Sequence, residues 1–411
     1  MSHEHDADLS RRAVLQTSAG SVVGGLLMGA AKKEAQSALA TAATDVYREL
    51  GIKPIINAAG TMTALGGSIM PPEVLAAWNA ASQSFIPLVE LQDRVGRRIA
   101  ELLGVEAALV TTGAAGGILV GTAAVLTYRD HSLVGRLPLS PDMGREVIRQ
   151  KSHRECYDNL VTACGVKLVD VETRDDLERA ISERTAMMFS YNVHEDAGKI
   201  KREEWVAVAR KHSIPTLLDA AADVPPVDSL WKYTKFGFDL VVFSGGKAIR
   251  GPQDAGLLVG RKDLIEAAEL NTAPRCGNIG RGMKVSKENM VAMLTAVQRY
   301  LRLDHAAEWR ERERSISVIA AAVSDIPTVT TKTIVPPIAN HVPHLLIFWD
   351  EAQLKVTRDQ MKQQLAAGDP SIATARVHGT GDEGFLISVF TLQPGEDEVV
   401  AERVRQILRP S

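Results

Sequence analysis

The chain contains a lysine and an aspartate, each after an apolar segment, and these two residue types together support covalent chemistry on a carbonyl group. Lys247 follows the glycine turn 244–246, which comes after the apolar run 238–243, and Asp219 ends an earlier apolar run. A lysine in a partly dehydrated pocket loses its proton more easily, because burial disfavours the ammonium form, and it can then bind an aldehyde as a Schiff base. An aspartate can hold the proton on a pyridine nitrogen, which makes the ring an electron sink. The pair predicts a pyridoxal 5′-phosphate (PLP) site, although Gly-Gly-Lys taken alone is more typical of a surface loop.

A second segment has the composition of a phosphate-binding turn. Residues 105–112 have the pattern of a strand, and small residues then open a helix that runs to about Thr127. Such a turn exposes backbone N–H groups, and the helix dipole favours an anion there. Close packing of a small-residue helix on a sheet explains the segment equally well. The Thr-Gly-x-x-x-Gly spacing also resembles short-chain dehydrogenases, but no Tyr-x-x-x-Lys pair occurs in the chain. The candidate phosphate ligands are Thr112, Gly113 and Ala114.

The elements that would position these residues alternate between strand and helix. Helices are predicted at residues 72–82 and 88–103, and the alternation from 105 to 260 predicts a parallel sheet covered on both faces. Residues 288–324 predict one or two long helices, with the charged stretch 308–314 on a solvated face. Folds of this type place ligands at the carboxyl ends of their parallel strands. The polar residues at such ends are Thr112, Asn192, Asp219 and Ser244.

The remainder of the chain predicts a smaller domain. Strands are expected near residues 345–349 and 385–389, and a helix at 396–408. The fold class is therefore α/β, with a large domain whose mostly parallel sheet lies between helices and a small C-terminal α+β domain. The predicted organisation has three parts. Residues 1–40 are an export signal, 41–290 are the N-terminal segment and large PLP-binding domain, and 291–411 are the linking helices and small domain.

Several separate motifs, in order along the chain, resemble one enzyme family. They lie at residues 51–68, at 244–253 around the lysine, and at 280–288. Together they are similar to the selenocysteine-synthase-like family of fold-type-I PLP enzymes, over roughly residues 46–408. That family includes L-seryl-tRNA(Sec) selenium transferase and smaller relatives similar to D-glucosaminate-6-phosphate ammonia-lyase, which this chain resembles more. The resemblance implies the fold-type-I architecture and PLP as the cofactor.

The resemblance also assigns further residues. It implies that His153 stacks on the cofactor ring. The alternative is a histidine at the start of a helix whose side chain is hydrogen-bonded to the backbone. The resemblance implies that Asn192 contacts the cofactor phenolic oxygen and that Ser244 binds the phosphate. Asp223, four residues after Asp219, is interpreted as a structural residue or as one that supports the residues in contact with the cofactor. Arg250 could bind a phosphate or a substrate carboxylate, since a guanidinium fork fits either, or it could be a solvated turn residue.

Assembly as at least a homodimer is another implication of the resemblance. Fold-type-I enzymes generally build each active site from two subunits. The loop 271–284 is rich in Arg, Gly and Asn and could cover a neighbour's cofactor pocket. Its candidate phosphate or carboxylate ligands are Arg275, Arg281 and Lys284, each of which could equally be a solvated cation.

The predicted reaction breaks a bond at Cα or Cβ of an amino acid or amino-sugar acid through a Cα carbanion. Lys247 would remove the α-proton and Asp219 would stabilise the charge, with β-elimination or β-replacement as the main expectation. Racemisation and transamination on the same fold stay open. A hypothesis of another class is a cofactor- or carbohydrate-binding protein that lost catalysis; the presence of both Lys247 and Asp219 argues against it.

Composition limits the partners and compartments. The 411-residue chain has a net charge of -3, which gives no electrostatic case for a nucleic-acid partner. Three widely spaced cysteines form no disulfide framework and are interpreted as packing residues, and no metal site is predicted.

The N-terminal residues resemble a twin-arginine signal, with Arg11-Arg12, a weakly apolar stretch at 14–31 and Ala38-Leu39-Ala40 in order. This pattern predicts export to the periplasm rather than a membrane span. A basic tail on a cytoplasmic protein is the alternative.

Overall fold

The computed structural model describes residues 46–377, 380 and 383–409, and the predicted export signal lies outside them. The chain divides into two compact units, Met1–Ile55 and Ile56–Ser411. In the described part of the first unit, residues 46–49 are helical. Across the described residues, no helix has both the length and the apolar character needed to cross a bilayer. The same residues contain no group of three or more His, Cys, Asp or Glu side chains that could hold a metal ion.

Seven strands form the central sheet of the second unit, in the order β2-β8-β7-β6-β5-β3-β4. The strands of the described chain are β1 Ile55–Ala58, β2 Ala107–Thr112, β3 Glu146–Gln150, β4 Lys167–Val171, β5 Thr185–Tyr191, β6 Thr216–Asp219, β7 Leu240–Ser244, β8 Ala255–Gly260, β9 Thr330–Ile334, β10 His344–Phe348, β11 Ser371–Thr374 and β12 Phe385–Ser388. Neighbouring strands from β7 through β6, β5 and β3 to β4 are parallel. The expected parallel arrangement therefore holds for most of the sheet.

One strand departs from the parallel pattern predicted for residues 105–260. β8 is antiparallel to both of its neighbours, β2 and β7. Residues 245–254 connect β7 to β8, and a connection this short cannot make the crossover that a parallel neighbour requires. The connection instead turns the chain back beside β7, and this turn carries Lys247.

Helices cover both faces of the sheet. The helices of the described chain, including those of the C-terminal region, are α1 Pro72–Ser82, α2 Leu88–Leu103, α3 Gly113–Thr127, α4 Asp158–Thr162, α5 Arg174–Ala180, α6 Arg202–Lys211, α7 Ser229–Phe236, α8 Lys262–Leu270, α9 Lys287–Arg302, α10 His305–Val323, α11 Glu351–Leu354, α12 Arg358–Ala366 and α13 Glu396–Leu408. Alternate residues of a strand point to opposite faces. In β7, Val241 packs in one apolar core and Val242 in the other, and both are fully buried.

Local sequence explains where several helices begin and end. Pro72 occupies the first turn of α1, where a missing N–H costs nothing. α2 ends at Gly104, whose φ of 63° is a conformation that glycine adopts freely. The long helical pattern at 288–324 is two helices, because Leu303 leaves the helical conformation and the side chain of Asp304 accepts a hydrogen bond from the Ala307 N–H to start α10.

The C-terminal region forms a separate, smaller sheet. β9, β10 and β12 are antiparallel in the order β12-β10-β9, while β1 pairs with β11. Apolar residues of α10, α12 and α13 pack on these strands in a third core. The expectation of strands near 345–349 and 385–389 and of a helix at 396–408 is confirmed in position.

Candidate active site

Four polar residues predicted to bind the cofactor lie at one edge of the central sheet. Because β8 is antiparallel to both neighbours, β2, β5, β6 and β7 all run in the same direction. Thr112 ends β2, Asn192 directly follows β5, Asp219 ends β6 and Ser244 ends β7. The sheet therefore gathers these four positions at one edge, as the strand pattern predicted.

Lys247 and Asp219 are partly buried and interact electrostatically. Burial lowers the pKa of Lys247, and the negative charges of Asp219 and Asp223 oppose this effect. Burial raises the pKa of Asp219 to about 6, while a hydrogen bond from the Ala221 N–H at 2.9 Å and the charge of Lys247 favour its ionised form. The site thus holds an amine that is easier to deprotonate near a carboxyl group that is harder to ionise.

Close backbone contacts fix the turn that carries Lys247. The N–H of Gly245 donates to the carbonyl of Ala255 at 2.8 Å, and the N–H of Gly251 donates to the carbonyl of Gly245 at 2.8 Å. A Cβ at Gly246 would lie 2.5 Å from the Cα of Gln253, so a larger residue would displace the turn. These contacts hold the lysine backbone in one position.

The turn after β2 has the geometry of an anion site. Gly113 has a φ of 65°, and no side chain caps the N-terminus of α3. A Cβ at Gly256 would lie 2.4 Å from the carbonyl carbon of Gly113, so the strand and the helix start need a glycine at their contact. Thr112 and Ser244 are both partly exposed at the same edge of the sheet. The uncapped N–H groups of α3 are therefore available to an anion.

His153 lies beyond the end of β3 and is completely buried. Its Nδ1 has no hydrogen-bond partner, and its Nε2 lies 3.5 Å from Nε2 of Gln150. Burial, followed by repulsion from His194, lowers the pKa of His153 to about 4, so the imidazole is neutral at neutral pH. The ring has no exposed surface and does not line the cleft described below, so stacking on a cofactor stays a prediction.

Asn192 belongs to a buried polar network. Its amide nitrogen donates to Asp223 and, at 2.9 Å, to the hydroxyl of Tyr233, while Arg202 donates to its amide oxygen at 2.6 Å. The Tyr233 hydroxyl also donates to Asp223 at 2.8 Å. This network agrees with a structural role for Asp223. It also engages both ends of the Asn192 amide, so the predicted contact with a cofactor oxygen stays a prediction.

A cleft of about 450 Å³ opens beside Lys247. It lies between the lysine turn, helices α9 and α10, and the segment after β12, and Arg250 lines it. The sequence patterns did not identify two other arginines in its wall, Arg299 and Arg312. The charged stretch 308–314 was predicted to face solvent, and this is wrong for Arg312, whose side chain is only 16% exposed. The sequence feature that could have indicated a packed Arg312 is its spacing of four residues from Glu308, because residues four apart on a helix are neighbours. The two side chains form an ion pair at 3.2 Å.

The cations of the loop 271–284 do not line this cleft. Arg275 donates to the backbone carbonyl of Glu269 at 2.8 Å, and Arg281 and Lys284 are exposed. Their contribution to a partner's site therefore stays a prediction.

The cysteines follow the packing prediction only in part. Cys164 is buried, which raises its pKa to about 12, whereas Cys156 and Cys276 are exposed.

The raised pKa of Asp219 predicts a pH-dependent cost of folding in the cofactor-free protein. An ordinary aspartate has a pKa of about 3.9, so the unfolded chain ionises first and Asp219 destabilises the fold increasingly as the pH rises from about 4 to about 6. Asp219→Asn keeps an acceptor for the Ala221 N–H and should be more stable than wild type at pH 8, by up to about 3 kcal/mol. Thermal unfolding at pH 8 and pH 5 should show this advantage shrinking in acid. An advantage that is independent of pH would contradict the assignment.

Comparisons with known proteins identify the family of the chain. The family model SelA, L-seryl-tRNA selenium transferase, matches residues 55–326. The chain is 29% identical over 374 residues to D-glucosaminate-6-phosphate ammonia lyase of Salmonella typhimurium (strain 14028s / SGSC 2262), covering 88% of this chain and 98% of that enzyme. It is 28% identical over 379 residues to 5'-C-glycyluridine monooxygenase-decarboxylase of a Streptomyces species, covering 88% and 92%.

Solved structures give the same result. A structure of D-glucosaminate-6-phosphate ammonia-lyase is similar with a TM-score of 0.76 at 28% identity, covering 88% of this chain and 98% of that one. Serine palmitoyltransferase from S. paucimobilis, solved with a bound PLP–myriocin aldimine, shares the fold with a TM-score of 0.53 at 15% identity, covering 86% and 87%. The fold-type-I architecture predicted from the sequence is confirmed. The chain belongs to the SelA family of PLP-dependent lyases and transferases.

Proposed function

We propose that this protein binds PLP through Lys247 and acts on an amino acid or amino-sugar acid by removing its α-proton, with β-elimination or β-replacement as the outcome. The observation that carries the proposal is the electrostatic interaction of Asp219, at the end of β6, with Lys247, which lines the cleft. An ammonia lyase among the relatives supports elimination from an amino-sugar acid.

The residues present fit PLP. A partly dehydrated amine can bind its aldehyde, and a carboxyl group held near a pKa of 6 can share a proton with a ring nitrogen. The uncapped N-terminus of α3, with Thr112 and Ser244 beside it, supplies donors for a phosphate. These residues are the ones we propose to hold the cofactor.

When bound, PLP supplies an aldehyde for amines and an aromatic ring that accepts electron density from a substrate carbanion. Lys247 Nζ would be the base that takes the proton from the substrate Cα. Its lowered pKa keeps more of the amine neutral and able to accept a proton. Asp219 stabilises the positive charge that draws electrons from Cα. The residues that line the cleft would orient the substrate.

A screen with product identification tests this proposal. The purified protein, loaded with PLP, is given D- and L-amino acids and amino-sugar acids, and products are identified by mass spectrometry. A keto acid with free ammonia supports elimination, whereas an enantiomer indicates a racemase and amino-group transfer to the cofactor indicates an aminotransferase. Protein that stays colourless after reconstitution with PLP would contradict cofactor binding. Coloured protein that transforms none of these substrates would favour a non-catalytic binding protein.

We also propose a homodimer whose active sites are completed by the partner's loop 271–284. Lys247→Ala and Arg281→Ala should each be inactive, and mixing them after reversible dissociation should restore roughly a quarter of wild-type activity, because half of random pairs are hybrids with one intact site of two. Mixing Lys247→Ala with Asp219→Asn is the control. Both residues belong to the same subunit's site, so this mixture should stay inactive. An active monomer in sedimentation experiments would end the proposal.

We propose export from the sequence pattern of residues 1–45 alone. A fusion of residues 1–45 to a folded reporter should reach the periplasm of a cell with a twin-arginine system, and Arg11→Lys with Arg12→Lys should block it. Fractionation of the two strains measures the effect. A reporter retained in the cytoplasm without the substitutions would show that the segment is only a tail.

A further inference from the structure

A histidine in the wall of the cleft beside Lys247 has one ring nitrogen fixed by the backbone. His341 lines the cleft, is partly exposed, and has its ring centre 5.9 Å from that of Trp309, which also lines it. Its Nδ1 lies 2.8 Å from the carbonyl oxygen of Pro336, and because a carbonyl can only accept a hydrogen bond, Nδ1 carries a proton. Pro336 is not part of the cleft wall, so the part of the ring away from it, which includes Nε2, is what lines the cleft.

The turn that carries His341 has a strained backbone. Ala339 and Asn340 have φ values of 54° and 47°, left-handed conformations that are uncommon for residues other than glycine. Asparagine tolerates this conformation better than alanine does, so Ala339 is the more strained of the two. Such conformations persist only where surrounding contacts enforce them, and they are concentrated at functional sites.

Hydrogen bonds from separate parts of the chain hold this turn. The N–H of Asn340 donates to the carbonyl of Ala222 at 2.8 Å. The carbonyl of Asn340 accepts from the Val342 N–H at 2.7 Å and from Nε2 of His344, which is completely buried, at 3.2 Å. Ala222 is the third residue after Asp219. The backbone contact to Ala222 therefore fixes the cleft histidine relative to the end of β6.

Few groups in the cleft wall can donate a proton at neutral pH. Besides the lysine, the titratable lining consists of arginines and a tyrosine whose pKa is raised by burial, all of which stay protonated, and of two glutamates and two histidines. Glu308 and Glu311 form ion pairs with arginines at 3.2 and 2.8 Å. His305 packs its ring edge on Tyr300, with ring centres 4.7 Å apart, and its Nε2 is buried. His341 therefore best combines a fixed ring with a nitrogen that can reach a ligand.

β-Elimination needs a second proton transfer when the leaving group is a hydroxyl. The Cα–H bond breaks, its proton goes to Lys247, and the electron pair left on Cα forms the double bond between Cα and Cβ. The Cβ–O bond breaks with its electron pair on oxygen. Hydroxide is a poor leaving group, so an acid that donates a proton to that oxygen as the bond breaks lets it depart as water.

We propose that His341 is the acid that donates this proton, from Nε2, and is thus a second catalytic residue. The assignment rests on the proposed elimination. In the imidazolium form Nδ1–H stays on the carbonyl of Pro336 while Nε2–H is donated to the leaving oxygen. After the transfer the ring is neutral with its proton on Nδ1, which is the form that the Pro336 carbonyl stabilises. A proton from solvent restores Nε2–H before the next turnover.

A comparison of leaving groups tests His341 in the PLP-loaded protein. Both enantiomers of serine, whose hydroxyl needs a proton to leave, are compared with β-chloroalanine, whose chloride does not. Glutamine cannot act as an acid, so we expect His341→Gln to slow the release of ammonia and pyruvate from serine by at least about a hundredfold, and from β-chloroalanine by less than about threefold. His131→Gln, at an exposed histidine outside the cleft, is the matched control and should change neither rate. Thermal unfolding checks that each variant folds.

Two further measurements separate the steps. Exchange of the substrate Cα proton with deuterium from solvent, followed by NMR, reports the action of Lys247 alone and should persist in His341→Gln. Diethyl pyrocarbonate, which acylates neutral imidazole nitrogens, gives a measurement that does not depend on turnover. Mass spectrometry should find His341 modified in the PLP-loaded protein and this modification lost when serine is present, whereas His131 should be modified equally in both samples.

Four results would overturn the inference. They are equal slowing with serine and β-chloroalanine in His341→Gln, the selective loss with serine appearing in His305→Gln instead, a wild type that eliminates chloride but no hydroxyl, and modification of His341 that serine leaves unchanged while it alters the cofactor absorbance. In each of these cases the proposed α-proton removal can still stand. Wild-type protein that neither exchanges the Cα proton nor eliminates from any of these substrates would instead contradict the proposed function, and the role of His341 with it.

Discussion

Replacing Lys247 with alanine should abolish turnover while the fold is retained. Alanine cannot bind an aldehyde or accept a proton, so both proposed roles are lost at once. We expect turnover to fall by more than about a thousandfold, which corresponds to at least about 4 kcal/mol of transition-state stabilisation. Burial lowers the pKa of Lys247, so removing the amine should cost the cofactor-free fold little, and the thermal unfolding of that variant should stay close to wild type.

Two further variants make the result specific. Lys247→Arg keeps a positive charge, but a guanidinium does not lose its proton and should be as inactive as alanine. Lys262→Ala, at an exposed lysine in the first turn of α8, should leave turnover unchanged. Borohydride treatment of the wild type should fix the cofactor to the peptide that contains Lys247. Turnover in Lys247→Ala near the wild-type rate, without added amine, would refute the assignment.

The sequence predicted the lysine and aspartate because their positions depend on short, local patterns. Each follows a run of apolar residues that is long enough for a buried strand, and a glycine turn or strand end marks where the side chain is presented. Strands β2, β5, β6 and β7 could be found without a structure for the same reason. Their shared direction then placed Thr112, Asn192, Asp219 and Ser244 at one edge.

Other features depend on contacts between distant segments, and local patterns did not reveal them. The apolar run of β8 does not show whether the strand is parallel or antiparallel to its neighbours. The short connection between β7 and β8 does, because a parallel pair needs a longer crossover. Arg312 lies in a charged stretch that looks solvated, but the segment after β12 covers it, with Phe390 packed against its guanidinium. The hydrogen bonds of Asn192 to Asp223 and Tyr233 likewise join separate elements.

Replacing Asp219 with asparagine should separate cofactor binding from catalysis. The amide retains an oxygen that can accept the hydrogen bond now made by the Ala221 N–H at 2.9 Å, so the strand end should keep its geometry. It cannot supply the negative charge that holds a proton on the cofactor ring. If that charge contributes roughly 4 kcal/mol in the transition state, turnover should fall by about a thousandfold. Cofactor absorbance should still appear on reconstitution.

A neighbouring carboxylate provides the control for this charge. Asp223→Asn removes the charge of another buried acid that interacts electrostatically with Lys247. Unlike Asp219, the carboxylate of Asp223 accepts hydrogen bonds from the side chains of Asn192 and Tyr233. We therefore expect it to lower the thermal unfolding midpoint and to reduce turnover less than Asp219→Asn does. Turnover of Asp219→Asn within a factor of about three of wild type corresponds to less than ~1 kcal/mol. Such a small effect would mean that Asp219 is not the residue that stabilises the carbanion, however favourably the sheet places it.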